Sequence, residues 1–362
     1  MSTYNDASLI YYPSGYKAGK AYSLKPTDGS GDLDFTRAST ATRVNEQGLI
    51  ESIATGVPRI DYTGGGCGKL LLEPQRTNYI TYSNYDASTW TQTTASISIN
   101  SATSPDGTTN AHTATRTSGS TQRIGVAAFS ATVGQPYTNS IYLRKVSGSG
   151  LVRLIDINNT PTTFTLTTEW VRYSVTAIAV ASTQRLYVEM TQDGDVIEFW
   201  QGQIENGSYS TSLIPTTSTA VTRVKDETST TIIPTMTGVS EFTWFFDNTD
   251  MDVLVSVVVY MQLNLSGGAL RYYSTNGGRF RGSTYFGDVN AIGKLAVKCD
   301  GTTLSMFKNG VKSASTLASA LGTFVNFSGF NQGGETFSGG MQSMMLFPTA
   351  LSDAEIIALT TI

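Results

Sequence analysis

Residues 137–144 place Tyr137, Asn139, Ile141 and Leu143 on one side of an extended chain and Thr138, Ser140, Tyr142 and Arg144 on the other. The same period of two returns at Val171, Tyr173, Val175 and Ala177, at Leu186, Val188 and Met190, and at Phe242, Trp244 and Phe246. Turn formers punctuate these runs: Ser147-Gly148-Ser149-Gly150, Asp193-Gly194-Asp195, Asp300-Gly301 and Asn309-Gly310. Asp-Gly and Asn-Gly supply the positive φ that two-residue hairpins need, so the pattern predicts antiparallel strands joined tightly. The low share of charged residues, 14%, further favours strands over solvated helices. One helix is expected, at the end of the chain. Ser352 and Glu355 have capping-box spacing, and Leu351 and Ile356 can close over them as a hydrophobic staple.

The predicted class is all-β: tandem β-sandwich (jelly-roll) domains behind a short irregular β-rich N-terminal module, with one short C-terminal helix. At 362 residues the chain exceeds one ordinary domain. Its punctuation suggests an anchoring or oligomerisation module at 1–83, a jelly roll at 84–221, a Thr/Ser-rich linker at 222–236 and a second sandwich at 237–362. Residues 253–263 form a nearly continuous apolar run, predicted as a central strand covered on both faces.

Several functions are disfavoured at this level. The formal net charge is −4 and the 24 basic residues are scattered singly, so no cluster answers a run of phosphates and nucleic acid is not an expected partner. The longest apolar stretch is interrupted by Ser256 and Gln262, which argues against membrane insertion. The opening Met-Ser-Thr-Tyr-Asn-Asp has neither a basic nor an apolar leader region, so synthesis in the cytoplasm is expected. Gly64-Gly65-Gly66 lacks the Lys-Ser/Thr that a phosphate cradle needs and reads as a turn. Cys67 and Cys299 match no metal or redox spacing and are expected as free thiols, and the single His112 supports neither a triad nor a multi-histidine metal site.

Catalysis by paired carboxylates would have to use Asp193, Asp195 and Glu198, but Asp193-Gly194-Asp195 reads more simply as a hairpin turn. No enzyme is expected. No cofactor is required, and calcium is the one ion with candidate ligands: Asp247, Asp250 and Asp252, with Asn248, cluster in one loop. A solvated turn explains that cluster equally well. Sugar binding needs aromatic faces flanked by polar groups. Candidates are Trp90, Tyr142 and Tyr187 in the middle domain and Arg271, Tyr272, Tyr273, Tyr285 and Phe286 in the last, whereas Trp170, Trp200 and Trp244 are expected in cores. Arg37, Arg43, Arg59 and Arg76, with Asp61 and Glu73, are candidates for an ion-pair framework, since arginine can hold a carboxylate through two bonds. A module so poor in strands is expected to lean on neighbouring chains, which suggests a homo-oligomer, specifically a trimer.

Three stretches also carry resemblances. Residues 34–44 (Asp-Phe-Thr-Arg-Ala-Ser-Thr-Ala-Thr-Arg-Val), 48–51, 57–62 (Val-Pro-Arg-Ile-Asp-Tyr) and 71–78 (Leu-Leu-Glu-Pro-Gln-Arg-Thr-Asn) resemble the opening module of bacteriophage fibre and virion-surface proteins. Residues 169–174, 199–205 and 211–217 resemble a carbohydrate-binding-module jelly roll. Residues 300–311 and 337–356 are similar to the laminin-G and concanavalin-A-like lectin superfamily. The resemblances imply a structural protein of the virion surface, of head-fibre or tail-fibre type. Its implied partners are other virion proteins and host-surface or mucosal glycans.

Overall fold

A computed structural model describes residues 3–12, 17, 19–93, 95–117, 119, 122–247, 261–274, 278–281, 285–289, 293–317, 321–328 and 339–362, and every structural statement below concerns these. The protein is all-β, in two compact units. One comprises Met1–Glu46, Ile53–Pro74 and Val224–Ile362; the other comprises Gln47–Ser52 and Gln75–Arg223.

The second unit is a sandwich of two five-stranded antiparallel sheets. One sheet runs Trp90–Gln92, Gln122–Ser130, Thr183–Met190, Leu151–Ile155, Pro161–Thr165; the other runs Ala95–Ala102, Ala111–Arg116, Val196–Asn206, Pro136–Ser147, Val171–Ile178. The period of two is realised as two inner faces: Ile124, Val126, Val152, Leu154, Leu186, Val188 and Met190 meet Ala114, Ile141, Leu143, Val175, Ile197, Phe199 and Ile204. A bulge adjusts the longest pairing. Gln201, at φ +49°, falls between Trp200, opposite Tyr142, and Gly202, opposite Ile141, and this extra residue resets the alternation so that Phe199 and Ile204 both point inward.

The first unit has a seven-stranded sheet in the order Val311–Leu317, Thr303–Lys308, Lys294–Asp300, Glu241–Asp247, Ser343–Phe347, Leu9–Tyr11, Ser23–Lys25. A five-stranded sheet holds Tyr285–Val289, Gly278–Arg281, Gly268–Ser274, Met261–Leu265 and Phe324–Phe327. Phe242, Trp244, Phe246, Val297, Met306, Met344 and Leu346 share a core with Leu263, Leu270, Phe324 and Phe327. The opposite face of the large sheet, carrying Ile10, Phe245, Phe307, Met345 and Phe347, is closed by Leu351 and by Ile356 of the helix Asp353–Thr360. The capping box is formed: Glu355 N–H donates to Ser352 Oγ at 3.3 Å and Ser352 N–H donates to Glu355 Oε2 at 2.8 Å. Asn309 (φ +49°) and Gly310 (φ +78°) form the left-handed pair of the predicted hairpin turn. Of the run 253–263, residues 253–260 lie outside the described set; Met261–Leu265 pairs with strands on both sides.

Two expected boundaries are corrected. The N-terminal stretch is not a module of its own: Leu9–Tyr11 pairs with Ser343–Phe347 inside the large sheet, and Lys69–Leu72 pairs with Gly339–Met341. Its short strands are covered by distant parts of the same chain, which removes the burial premise behind the trimer. Nor is 222–236 a linker. Glu227–Thr228 pairs with Phe35–Thr36, Val221–Arg223 pairs with Arg76–Asn78, and Ile233 and Met236 are buried.

The ion-pair framework centres on a residue within that expected linker. Asp226, 1% exposed, accepts from Arg37 Nη1 at 3.0 Å, from Arg59 Nη2, and from the Glu73 backbone N–H at 2.8 Å. Arg59 also donates to Glu73 Oε2 at 2.7 Å. Beside this cluster, Arg43 donates to the Ile60 carbonyl at 3.0 Å and Asp61 accepts from the Val44 and Thr63 N–H groups at 2.8 and 2.9 Å. Arg76 belongs to the other unit, where it lies 3.8 Å from Glu205 and 5.1 Å from the ring centre of Tyr209.

Removing the central anion leaves two buried guanidiniums without it, a far larger penalty than the net worth of the ion pairs themselves. Asp226→Ala is expected to destabilise the first unit by about 3–5 kcal/mol in denaturant unfolding, and Asp226→Asn by less, because the amide keeps an acceptor.

His112 supplies a second test. It is buried against Phe199 and Tyr85; Nδ1 accepts from Asn100 N–H at 3.3 Å and Nε2 lies 3.0 Å from Asn84 Oδ1. That pattern suits the neutral ring, and burial pulls its pKa down to about 4. Between the unfolded value of about 6.5 and pH 4 the unfolded chain binds a proton that the folded one refuses. The contribution of His112 to stability is therefore complete above pH 6.5 and is progressively lost as pH falls toward 4. A single imidazole titration by NMR with a midpoint near 4 is expected, and His112→Gln should flatten the stability profile in that window.

Candidate functional site

The two outer faces of the second unit are treated differently. Outside the sheet that holds Val196–Asn206, Trp200 (2% exposed) packs with Ala102, Ala111, Leu213, Ile50, Tyr142 and Trp170 in a smaller apolar cluster. Alongside it, buried Glu205 accepts from Thr211 N–H at 2.8 Å and Thr211 Oγ1 at 2.6 Å, while Gln203 Oε1 accepts from Ile214 N–H at 2.8 Å. The returning segment around residues 211–214 therefore covers that face.

Outside the other sheet, the alternate positions of three adjacent strands form an open face. Register sets Gly125 opposite Tyr187, Arg123 opposite Glu189, and Glu189 opposite Arg153. A Cβ at Gly125 would lie 2.0 Å from Tyr187 Cδ1 and 2.6 Å from its Cε1, so the half-buried ring rests directly on the bare glycine backbone. Guanidiniums frame it, Arg123 at 5.6 Å and Arg185 at 5.9 Å from the ring centre, and Arg185 Nη1 lies 3.3 Å from the phenol oxygen. Glu189, nearly buried, accepts from Arg123 Nε at 2.6 Å and lies 3.6 Å from Arg153 Nη1. Both arginine side chains remain over 40% exposed, 42% and 44%. The result is an aromatic platform on a paired sheet, edged by donors of which one carboxylate holds Arg123 and draws in Arg153. Such a surface can stack an apolar ring face and donate hydrogen bonds around it.

Of the sequence candidates for sugar contact whose side chains are described, only Tyr187 lies on this face. Trp90 is corrected: it is 3% exposed, its ring 6.0 Å from both Tyr85 and Phe199 and its indole N–H donating to the Tyr82 carbonyl at 2.8 Å. Tyr142 is corrected too, since it packs 5.5 Å from Trp200 and beneath Arg172 in the covered cluster. Trp170, expected in a core, is half-buried at the edge of that cluster, with Arg144 4.8 Å from its ring centre. Arg271 belongs to the first unit and donates to Gln262 Oε1 at 2.7 Å. Tyr272, Tyr273, Tyr285 and Phe286 lie on strands whose backbone alone is described, so their side-chain candidacy lies outside the described residues.

The metal and acid candidates are placed as follows. Asp247, 8% exposed, ends a central strand; Asp250 and Asp252 lie outside the described residues, among which no cluster of three metal-ligating side chains occurs. Asp195 accepts from Ser149 N–H at 2.6 Å and Oγ at 2.7 Å, Asp193 pairs with Arg116 at 2.9 Å, and Glu198 pairs with Arg144. Cys67 is exposed and Cys299 buried, both free.

Sequence reasoning missed Arg123, Arg153, Arg185, Glu189 and Gly125. The alternation of Leu186, Val188 and Met190 already put Arg185, Tyr187 and Glu189 together on the reverse face. Which strands flank them depends on pairing between residues more than 30 positions apart, and no local signal encodes it.

No protein-family model matches the chain, and no curated protein matches it. Among solved structures that resemble it is the N-terminal tandem CBM22-1–CBM22-2 domain of Paenibacillus barcinonensis Xyn10C. That domain is 10% identical, with 78% of this chain and 98% of that one covered, at a TM-score of 0.27. So loose a superposition assigns nothing to this chain.

Gly125→Ala tests the platform. The new methyl would also meet the Leu186 carbonyl oxygen at 2.3 Å, which cannot swing away. A loss of about 1–3 kcal/mol in unfolding free energy is expected, together with displaced Tyr187 ring resonances in NMR spectra.

Proposed function

We propose that this chain is a non-enzymatic, glycan-binding structural protein of a bacteriophage particle, fibre-like and displayed on the virion surface, which binds sugar through the open face of its second unit. The observation that carries the glycan part is the Tyr187 ring laid on Gly125 with Arg123 and Arg185 beside it, and Arg153 near Glu189 on the same face. A pyranose offers one apolar face and a rim of hydroxyls, and this arrangement offers a flat ring and a rim of donors. Display on a virion is supported by the resemblance of residues 34–44, 57–62 and 71–78 to the opening module of phage fibre and surface proteins. Binding without turnover is supported by the engagement of Asp193, Asp195 and Glu198 in structural hydrogen bonds. No cofactor takes part in this reading.

A glycan array that includes host capsule fragments tests it. The intact chain should retain a subset of the array, and Tyr187→Ala should weaken that retention about tenfold, the worth of one aromatic stack at roughly 1.4 kcal/mol. Retention unchanged in Tyr187→Ala would remove the face from the binding mechanism. Release of reducing ends from capsule on prolonged incubation would replace binding by hydrolysis.

A further inference from the structure

We infer that the glycan taken by the open face is acidic, a polysaccharide bearing carboxylate or sulfate groups. The inference rests on the glycan reading above and narrows it to a substrate class. Among the described residues three guanidinium groups, Arg123, Arg153 and Arg185, share the face with a single carboxylate, Glu189, which leaves two positive charges in excess. The chain as a whole carries a formal net charge of −4, so this excess is not a sample of a generally basic surface.

The distribution of contacts sharpens the point. Glu189 takes Arg123 through Nε, at 2.6 Å, and reaches Arg153 only at 3.6 Å. The terminal nitrogens of Arg123 are not the atoms used in that bond. Arg185 is exposed and touches the phenol of Tyr187. Guanidinium forks that remain accessible match the two-oxygen edge that a planar carboxylate or a tetrahedral sulfate presents and bind it far better than a neutral hydroxyl. A neutral sugar would leave the excess charge uncompensated under its own footprint. An acidic residue stacked on Tyr187 brings its anion within reach of the flanking arginines.

The experiment uses the full chain in affinity electrophoresis through gels containing polygalacturonate, hyaluronan or chondroitin sulfate, each beside its carboxyl-reduced counterpart, the reduced chondroitin sulfate being desulfated as well so that every counterpart is neutral. Because the chain is itself acidic, general electrostatics oppose its retention by a polyanion, so retardation reports the local face. The expected result is retardation by at least one acidic polymer, weakened on the order of tenfold by carboxyl reduction and again by raising salt from about 0.05 to 0.5 M. Arg185→Gln, at an exposed position, should cost about fivefold on the acidic polymer with an unchanged thermal unfolding midpoint. Retention of the reduced polymers as strong as that of their parents, with Arg185→Gln silent, would overturn the acidic class while leaving glycan binding in place. No retention by any polymer, charged or neutral, would remove both. Sedimentation as an oligomer that Arg185→Gln dissociates, again without retention, would assign the face to a second copy of the chain and likewise overturn the inference.

Discussion

Successive side chains of a strand go to opposite faces, so every sheet poses the same question twice: what covers this side. In the seven-stranded sheet both answers are apolar. Trp244 and Phe246 face one core, Phe245 and Phe347 face another, and the helix Asp353–Thr360 with Leu351 closes the second. That double burial is why Trp244-Phe245-Phe246 are consecutive aromatic residues within Glu241–Asp247, and the same logic in the second unit puts Trp200 under Leu213. One face, that of Tyr187, carries arginines and an aromatic ring where its neighbours carry Phe, Met and Trp.

Strand pairing alone does not hold the short N-terminal strands in place; buried charge joins in. Asp226 binds Arg37, Arg59 and the backbone of Glu73, tying stretches separated by up to 189 positions. Burial of these charges costs solvation that the ion pairs recover only because each oxygen of the carboxylate meets a donor. The geometry therefore tolerates little substitution. A hydrophobic cluster would accept many sequences, whereas this one specifies which carboxylate must return to which arginine.

Much of this was legible in the sequence, and the parts that were not share one cause. Strand identity, the hairpin at Asn309-Gly310, the capped terminal helix and the inward sets at 186–190 and 137–143 all follow from contacts within a few residues. The supposed linker at 222–236 failed because its function lies in partners such as Phe35 and Arg59, which no local composition reveals. Trp90 and Tyr142 failed in the same way. An aromatic residue on a strand is compatible with either stacking sugar or filling a gap, and long-range packing against Phe199 and Trp200 decided for the latter. Tyr187 has polar neighbours at i−2 and i+2, Arg185 and Glu189, but so do Trp90 (Ser88, Gln92) and Tyr142 (Ser140, Arg144), so the local pattern did not separate the uncovered side from the covered ones.

Glu189 has a distinct part in that uncovered side. Three exposed arginines without an anion would repel one another and sample many rotamers, and a ligand would then have to order them at a cost of about 0.5–1.5 kcal/mol for each side chain. A nearly buried carboxylate beneath them reduces both penalties, holding Arg123 and drawing in Arg153 while its own charge offsets only one of the three. Tyr187 is fixed by a different means, the missing side chain of Gly125. The face is thus organised before any ligand arrives, with the ring seated by a steric gap, Arg123 and Arg153 by an internal counter-ion, and Arg185 against the phenol of Tyr187. Preorganisation of that kind is what a weak, repeated contact to a polymer surface requires, because each engagement must be favourable without a folding step to support it.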